Sequence, residues 1–193
     1  MLNLRLPTDP RWVNLAEKKI DDILTDHAYC EQKAATSCIS LIVVYPDLKP
    51  IVEKLTPIVT EEWGHFTMVV NEIYQRGFVL GYPRKDEYVN QLLKFQNKNG
   101  DRYTVLVEKL LTNALIEARS CERFRLLSLE LKDQYLQKFY HSFMISEAGH
   151  YKLFMDLAKL YKDTTYVNTR WGEYLNHETK ILQNLEIRGD RMH

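Results

Sequence analysis

Six residues with metal-binding side chains occur in an order that repeats once along the chain. Each half is a lone glutamate followed by a Glu-x-x-His pair, and the glutamates are 31 residues apart in the first half and 30 in the second. Four carboxylates and two imidazoles are the ligand set of a dinuclear metal centre in a four-helix bundle. The predicted ligands are Glu31, Glu62, His65, Glu117, Glu147 and His150.

The position of the two pairs on their segments supports metal binding. The three-residue step puts the Glu and the His on one face of a helix, and in both pairs that face is the apolar stripe. An unpaired carboxylate is costly in such a core, and two divalent cations would offset the charge of four. Imidazole with carboxylate suits iron or manganese, whereas a structural zinc site usually includes thiolates.

The segments that must position these ligands are predicted to be helical, which makes the fold class all-α. Apolar residues recur at helical spacing, and proline, glycine and asparagine mark the ends. Pro57 should bend or divide the second core helix. The core helices are predicted at about 12–45, 48–76, 101–131 and 133–161, with a short helix at about 86–96 in a long crossover and a tail helix at about 168–185.

The register of the two predicted hairpins brings the ligands to one level. Glu31 lies 14 residues before Tyr45 and Glu62 lies 14 after Leu48. Both therefore stand roughly 20 Å from their turn, at about 1.5 Å rise per residue. The second hairpin has the same spacing around Glu117 and Glu147, so the whole chain, 1–193, is predicted to form a single four-helix-bundle domain with flanking helical segments.

Several other residues have open roles. Glu61 is expected on a more exposed face, and Glu122 is an alternative to Glu117 that lies off the stripe. His27, one turn before Glu31, is expected in the core or at the surface, with a supporting role for a ligand as the alternative. Arg119 and Arg123 could brace a carboxylate or contact a partner. Predicted to lie outside the metal chemistry are His141, His177, His193, Cys30, Cys38, Cys121 and the aromatic stripe of Phe139, Phe143 and Phe154.

Composition limits the class of protein. The chain has 26 basic and 26 acidic residues, and removing four metal-bound glutamates leaves 26 against 22, a mildly basic remainder that permits an anionic partner. No apolar run approaches the roughly 18 residues of a membrane span. The first residues lack the pattern of a signal peptide, and three scattered cysteines suit a reducing compartment, so a cytoplasmic location is expected.

Four segments around the ligands resemble a known family, the ferritin-like tRNA hydroxylases called MiaE. The resemblance spans nearly the whole chain, and the Glu-Ala-Arg-Ser-Cys-Glu-Arg stretch is its most specific part. The segments are His27-Ala28-Tyr29-Cys30-Glu31-Gln32-Lys33-Ala34-Ala35, Glu61-Glu62-Trp63-Gly64-His65-Phe66, Leu115-Ile116-Glu117-Ala118-Arg119-Ser120-Cys121-Glu122-Arg123-Phe124 and Ser146-Glu147-Ala148-Gly149-His150-Tyr151.

The resemblance implies a ferritin-like fold and a non-haem di-iron monooxygenase that uses O2. Its two iron ions would be held by the six predicted ligands, with manganese the less favoured metal. The substrate would be a tRNA with an isopentenylated, usually methylthiolated adenosine beside the anticodon, and the product would carry a hydroxyl on the isopentenyl group. Because the chain has no flavin or nicotinamide motif, electrons would come from an external donor of the ferredoxin type.

A tRNA partner requires cationic side chains for its phosphates. The anticodon loop is single-stranded, so the target base can enter a pocket without opening a duplex. The alternatives are a ferritin-like iron-storage protein, which would assemble as a large shell, and a di-iron hydroxylase of a small substrate such as a quinone. A monomer or small oligomer without membrane contact is expected, and the candidate phosphate contacts are Arg84, Lys85, Lys94, Lys98, Arg102, Arg188 and Arg191.

Overall fold

The computed structural model describes residues 2–193, and within that range it contains seven helices and no strand. The all-α prediction is therefore confirmed. None of these helices is both long and apolar enough to span a bilayer. The helices are α1 (Arg11–Glu17), α2 (Ile20–Val44), α3 (Lys49–Gln75), α4 (Glu87–Phe95), α5 (Arg102–Glu130), α6 (Gln134–Tyr161) and α7 (Thr164–Asn184).

The described residues form two compact units. The first unit contains residues 2–13, 86–187 and 193, and the second contains residues 14–85 and 188–192. The prediction of a single domain stays a prediction.

The second unit is built on the antiparallel hairpin of α2 and α3. These helices pack against each other through buried aliphatic residues, among them Leu24 and Leu41 on α2 and Leu55 and Val69 on α3. The segment 188–192 lies against the start of this unit, and a Cβ on Gly189 would come within 2.4 Å of the Leu15 carbonyl. Only glycine allows the two backbones to approach that closely.

The first unit is built on the hairpin of α5 and α6, with α4 and α7 packed beside it. Aspartates cap its helices α4 to α7: Asp86, Asp101, Asp133 and Asp163 each accept a hydrogen bond from a backbone N–H of the first turn. The aromatic stripe lies in this core, with Phe143 and Phe154 both buried. Its assignment to packing is confirmed.

Two predicted helix bounds are wrong. The helix expected at about 12–45 is interrupted at Lys18 and Lys19, where the Lys19 N–H donates to Ala16 O at 2.9 Å. The apolar positions stay in phase on both sides of this turn, so periodicity could not reveal it. The tail helix begins at Thr164 rather than at about 168. Asp163 caps its first turn, and the two threonines of that turn, which favour a loop by composition, are helical.

Of the two outcomes predicted for Pro57, division of the helix does not occur, because α3 runs without a break across it. A proline removes one helical hydrogen bond, and Pro57 lies on the exposed side of the helix where water can satisfy the freed carbonyl. Leu55 and Ile58 are buried on either side of it. Packing of both turns against the core therefore holds the helix in one piece.

Candidate metal centre

The α2/α3 hairpin brings together the first three predicted ligands. One ligand atom each from Glu31, Glu62 and His65 lies within 4.8 Å of the others. His65 Nδ1 is 3.4 Å from Glu31 Oε2 and 3.4 Å from Glu62 Oε2. Both carboxylates are buried, as the apolar stripe requires. We call this group the α2/α3 triad.

One further side chain, His27, orients a carboxylate of the α2/α3 triad. His27 is fully buried one turn before Glu31, and its Nε2 lies 2.7 Å from Glu31 Oε1. Because a carboxylate only accepts, Nε2 carries the hydrogen and donates. Glu31 thus turns its second oxygen, Oε2, toward His65. Glu61, half-exposed as predicted, has an oxygen 3.9 Å from His65 Nε2, on the side of the ring away from the triad.

The α5/α6 hairpin brings together the other three predicted ligands. One atom each from Glu117, Glu147 and His150 lies within 4.8 Å of the others, and all three residues are buried. His150 Nδ1 is 3.3 Å from Glu147 Oε2. In both hairpins the imidazole therefore turns Nδ1 toward the glutamate three residues earlier. We call this group the α5/α6 triad.

The donor atoms in each triad fit a divalent cation of the iron or manganese type. Two carboxylates and one imidazole nitrogen are the borderline and hard ligands that these ions take. Ligand atoms about 2.1 Å from one ion, at angles near 90–110°, would lie roughly 3.0–3.4 Å apart. The Nδ1–Oε2 distances of 3.3 and 3.4 Å are of that size. A bound ion fits between them with little rearrangement.

The arginine-containing motif around Glu117 is a buried network. Arg119 is fully buried, donates to Glu178 Oε1 at 2.9 Å and pairs with Glu122 through a short contact. Its remaining donors reach Thr8 Oγ1 and Leu6 O. Arg119 therefore braces carboxylates and is inaccessible to a macromolecular partner.

Glu122 and Arg123 also belong to this network. Glu122 accepts from the backbone N–H and the hydroxyl of Thr8, at 2.9 and 2.6 Å. The carboxylate of Glu122 is thereby engaged with Thr8, whereas Glu117 is the glutamate of α5 that lies in the α5/α6 triad. The guanidinium of Arg123 stacks over the Trp12 ring at 4.7 Å, and burial lowers the pKa of Arg123 to about 10.

The buried cysteines behave as packing residues. Burial raises the pKa of Cys38 to about 12, with a further rise from the charge of Glu62. Burial likewise raises the pKa of Cys121 to about 11, with Glu147 adding to the effect, and its thiol donates to Met144 O at 3.2 Å. Both thiols stay protonated near neutral pH, which agrees with their predicted exclusion from the chemistry.

The three histidines predicted to lie outside the metal chemistry belong to neither triad. His141 is exposed on α6, and His177 stacks on Phe95 with ring centroids 4.1 Å apart. His193 lies between Ser120 and Asp86. Sequence spacing gave no signal for this last contact, because its three members are far apart along the chain.

The candidate phosphate contacts fall into two groups. Three arginines share the carboxylate of Asp190, which accepts from Arg188 at 2.8 Å and from Arg84 and Arg191 at 3.3 Å. These ion pairs hold the pKa of Asp190 down at about 2, chiefly through Arg188. The exposed group comprises Lys85, Lys94, Lys98 and Arg102.

Comparisons with known proteins agree with this chemistry. The sequence model of the family described as tRNA-(MS[2]IO[6]A)-hydroxylase (MiaE) matches residues 2–193. A tRNA 2-(methylsulfanyl)-N(6)-isopentenyladenosine(37) hydroxylase of Pseudomonas putida is 34% identical over 160 residues, which is 83% of this chain and 77% of the relative. The protein of the same name from Salmonella typhimurium is 27% identical over 205 residues, covering 81% and 75%.

A solved structure resembles the chain over nearly its full length. It is described as protein 43 with aldehyde deformylating oxygenase activity from Synechococcus, and it superposes with a TM-score of 0.93 and 31% identity, covering 98% of this chain and 94% of its own. The predicted ferritin-like fold class is thereby confirmed. The chain belongs to the MiaE family of tRNA hydroxylases.

Proposed function

We propose that the protein is an O2-dependent di-iron monooxygenase. Its substrate is the isopentenyl group of 2-methylthio-N6-isopentenyladenosine next to the anticodon of tRNA. Membership of the MiaE family over residues 2–193 carries this assignment. The relatives from Pseudomonas and Salmonella support the substrate class through their names.

The six predicted ligands are proposed to hold two iron ions. Support comes from the composition of each triad: two buried carboxylates and one imidazole, with Nδ1 of both imidazoles aimed at a carboxylate. When bound, the iron pair would supply the two-electron reduction of O2 that lets one oxygen atom enter a C–H bond.

Neighbouring residues orient the proposed ligands and shield them from water. His27 donates to one oxygen of Glu31 and so fixes which oxygen faces His65. Partners of this kind hold a metal ligand in orientation and tune its basicity. Burial of the glutamates also keeps bulk water from the reacting atoms.

The partners of the enzyme follow from its chemistry. The two electrons per turnover are proposed to come from an external ferredoxin-type donor, with the protein working as a monomer or small oligomer. For tRNA phosphates we favour Lys85, Lys94, Lys98 and Arg102, which are exposed, over Arg84 and Arg191, which are committed to Asp190. Removing one phosphate contact should lower the salt dependence of tRNA binding by about one unit of slope.

The substrate is tested by mass spectrometry of tRNA nucleosides from cells with and without the gene. Loss of the hydroxylated isopentenyl-adenosine on deletion, and its return with the wild-type gene but not with a Glu147→Ala gene, is the expected result. Unchanged hydroxylated nucleoside in the deletion strain would overturn the substrate assignment.

A further inference from the structure

The segment between α3 and α4 exposes two large apolar side chains in one short stretch. Tyr82 and Val79 are 91% and 80% exposed, more than any other large apolar residue within residues 2–193. Both line a groove of about 350 Å³ that also includes Phe78. Contiguous apolar groups at a protein surface commonly mark a binding site.

The backbone just before Tyr82 is fixed to α2. The hydroxyl of Tyr29 donates to Gly81 O at 2.9 Å. The Gly81 backbone runs so close to α2 that a Cβ there would come within 3.2 Å of Thr25 Cγ2. Thr25 precedes Glu31 by six residues, or roughly 9 Å along the helix at about 1.5 Å per residue. That distance corresponds to two or three stacked nucleotides at roughly 3.4 Å each.

The backbone just after Tyr82 is fixed as well. Arg84 donates to Asp22 Oδ1 and to Asp22 O, both at 2.8 Å. Pro83 restricts the backbone of Tyr82 to extended conformations. A ring presented on an anchored backbone loses little conformational freedom when a ligand stacks on it.

Cationic side chains lie beside the ring. Lys85 is exposed three residues after Tyr82, and the Arg188 side chain is 54% exposed although it shares the carboxylate of Asp190 with Arg84. Four basic residues at this surface face three acidic ones, which leaves one positive charge in excess. They are Arg84, Lys85, Arg188 and Arg191 against Asp21, Asp22 and Asp190.

The size of the site decides between its possible occupants. A groove of about 350 Å³ is near the lower end of pockets that hold small ligand groups. A stable contact between protein chains needs about 1,000 Å² or more of buried surface, far more than one ring and one valine supply. An exposed ring beside cations suits one nucleotide, since the base stacks on the ring and the cations bind the adjoining phosphates.

We propose that Tyr82 is a stacking platform for an unpaired base of the anticodon loop, with Lys85 and Arg188 on the neighbouring phosphates. This inference rests on the proposed tRNA substrate and adds a residue that positions it. The base lies within two or three nucleotides of the modified adenosine. Unpaired loop bases can turn outward onto an aromatic side chain, whereas bases in a duplex cannot.

The first test measures binding of an anticodon stem-loop RNA to the full-length, iron-loaded protein kept free of O2, so that no turnover occurs. Tyr82→Ala should weaken binding about 5–150-fold, the usual loss for one stacked base. Tyr82→Phe should bind like wild type because it keeps the ring, and Tyr82→Leu should resemble Tyr82→Ala. The melting temperature should not change, because the Tyr82 side chain is almost fully exposed.

Two controls accompany this test. Tyr135→Ala removes another exposed tyrosine, on α6, and should leave RNA binding unchanged. A fully paired RNA duplex of the same charge offers no unpaired base, so Tyr82→Ala should bind it as wild type does. Wild-type affinity of Tyr82→Ala for the stem-loop, or loss of affinity in Tyr82→Phe, would overturn the platform.

Salt dependence separates stacking from a contact with phosphate. Tyr82→Ala should weaken binding equally at every salt concentration and leave the slope of log Kd against log salt unchanged. Lys85→Gln should reduce that slope by about 0.7, the value for one phosphate of a single strand. A changed slope in Tyr82→Ala would contradict the stacking role. So would a wild-type dimer that Tyr82→Ala dissociates without loss of RNA affinity, because the ring would then contact a second copy of this chain.

The position of the stacked base is tested by placing 2-aminopurine, in turn, at the loop positions flanking the modified adenosine. At one of them protein binding should quench its fluorescence in wild type and Tyr82→Phe, but not in Tyr82→Ala. The platform is wrong if no position shows quenching that depends on Tyr82.

This proposal and the proposed function fail in different ways. If the substrate assignment is wrong, deletion of the gene leaves the hydroxylated nucleoside unchanged, and wild-type protein does not prefer the stem-loop to the duplex. If only the platform is wrong, deletion removes the nucleoside and wild type prefers the stem-loop, but Tyr82→Ala keeps the same preference.

Discussion

The two hairpins carry the same pattern of predicted ligands but are supported in different ways. In the α2/α3 hairpin the supporting residue is a close neighbour on the same helix, His27, which donates to Glu31. In the α5/α6 hairpin, Arg119 ties the helix that carries Glu117 to α7 and to residues 6–8. The internal repeat therefore extends to the ligands and not to the residues that hold them.

The histidine of the α2/α3 triad is also more exposed than the histidine of the α5/α6 triad. The His65 side chain keeps 12% of its surface exposed, whereas His150 keeps 4%. In the α2/α3 hairpin the support comes from one neighbouring residue, and the His65 side chain stays partly open to solvent. The contacts of Arg119 with several elements couple the helix that carries Glu117 to the stability of the whole unit. Changes at equivalent positions in the two hairpins should therefore affect metal binding alike and stability unequally.

The largest effect is expected from removing a ligand glutamate in either hairpin. Glu62→Ala and Glu147→Ala should each lose iron by more than the roughly 10–100-fold in affinity that follows loss of an orienting partner. Helix content should persist, because most of each helix is held by apolar packing. Metal analysis and circular dichroism measure the two quantities, with the exposed Glu130→Ala as control. Full iron occupancy in Glu147→Ala would refute the ligand assignment.

The second effect tests the difference in support through stability. Arg119→Met leaves the buried Glu178 without its arginine and should cost about 3–5 kcal/mol of unfolding free energy. Arg76→Met breaks a pair with Glu72 in the other hairpin, in which the Arg76 side chain is 25% exposed and water can reach the carboxylate it leaves, and should cost less, about 1–2 kcal/mol. Urea denaturation measures both changes. Equal losses would show that the two hairpins are braced alike.

A smaller effect is expected from the residue that orients Glu31. His27→Ala removes the 2.7 Å hydrogen bond and should weaken iron binding about 10–100-fold while leaving all six ligands in place. Calorimetric titration of the metal-free protein with ferrous ion gives the affinity. His141→Ala, on an exposed face of α6, is the control. An unchanged affinity in His27→Ala would mean that packing alone orients Glu31.

The smallest effect concerns the thiols beside the two triads. At pH 8 about one in a thousand Cys121 thiols and about one in ten thousand Cys38 thiols are ionised, since their pKa values are about 11 and about 12. Below its pKa each thiolate fraction rises about tenfold per pH unit. Alkylation followed by peptide mass spectrometry should therefore modify half-buried Cys30 first, then Cys121, then Cys38. Early modification of Cys38 would indicate that the α2/α3 hairpin opens.

The sequence predicted what periodicity and residue chemistry control. Helices α3, α5 and α6 begin and end within two residues of their predicted bounds, because glycine, proline and aspartate mark their ends. Each triad assembles as the spacing required, since a hairpin of two helices converts equal distances from the turn into equal height. The helix ends depend on short stretches of sequence, and each triad depends on the single turn that joins its two helices.

Contacts between distant segments escaped prediction for a physical reason. Nothing in the spacing of Ser120, Asp86 and His193 indicates that they meet, and nothing in the charge of Arg84 or Arg191 shows that Asp190 occupies them. The role of His27 was left open between packing and support because its one-turn spacing from Glu31 fits both. Its distance from Glu31 Oε1 is what favours support.

One contact of Arg119 limits which changes residues 6–8 can tolerate. Its guanidinium donates to the main-chain carbonyl of Leu6, so residue 6 takes part in this network through the path of its backbone. Fusing extra residues upstream preserves that carbonyl. Trimming through Thr8 would delete two of the acceptors of Arg119 at once and leave its guanidinium with only the carboxylates of Glu122 and Glu178, so residues 6–8 contribute to the stability of this unit.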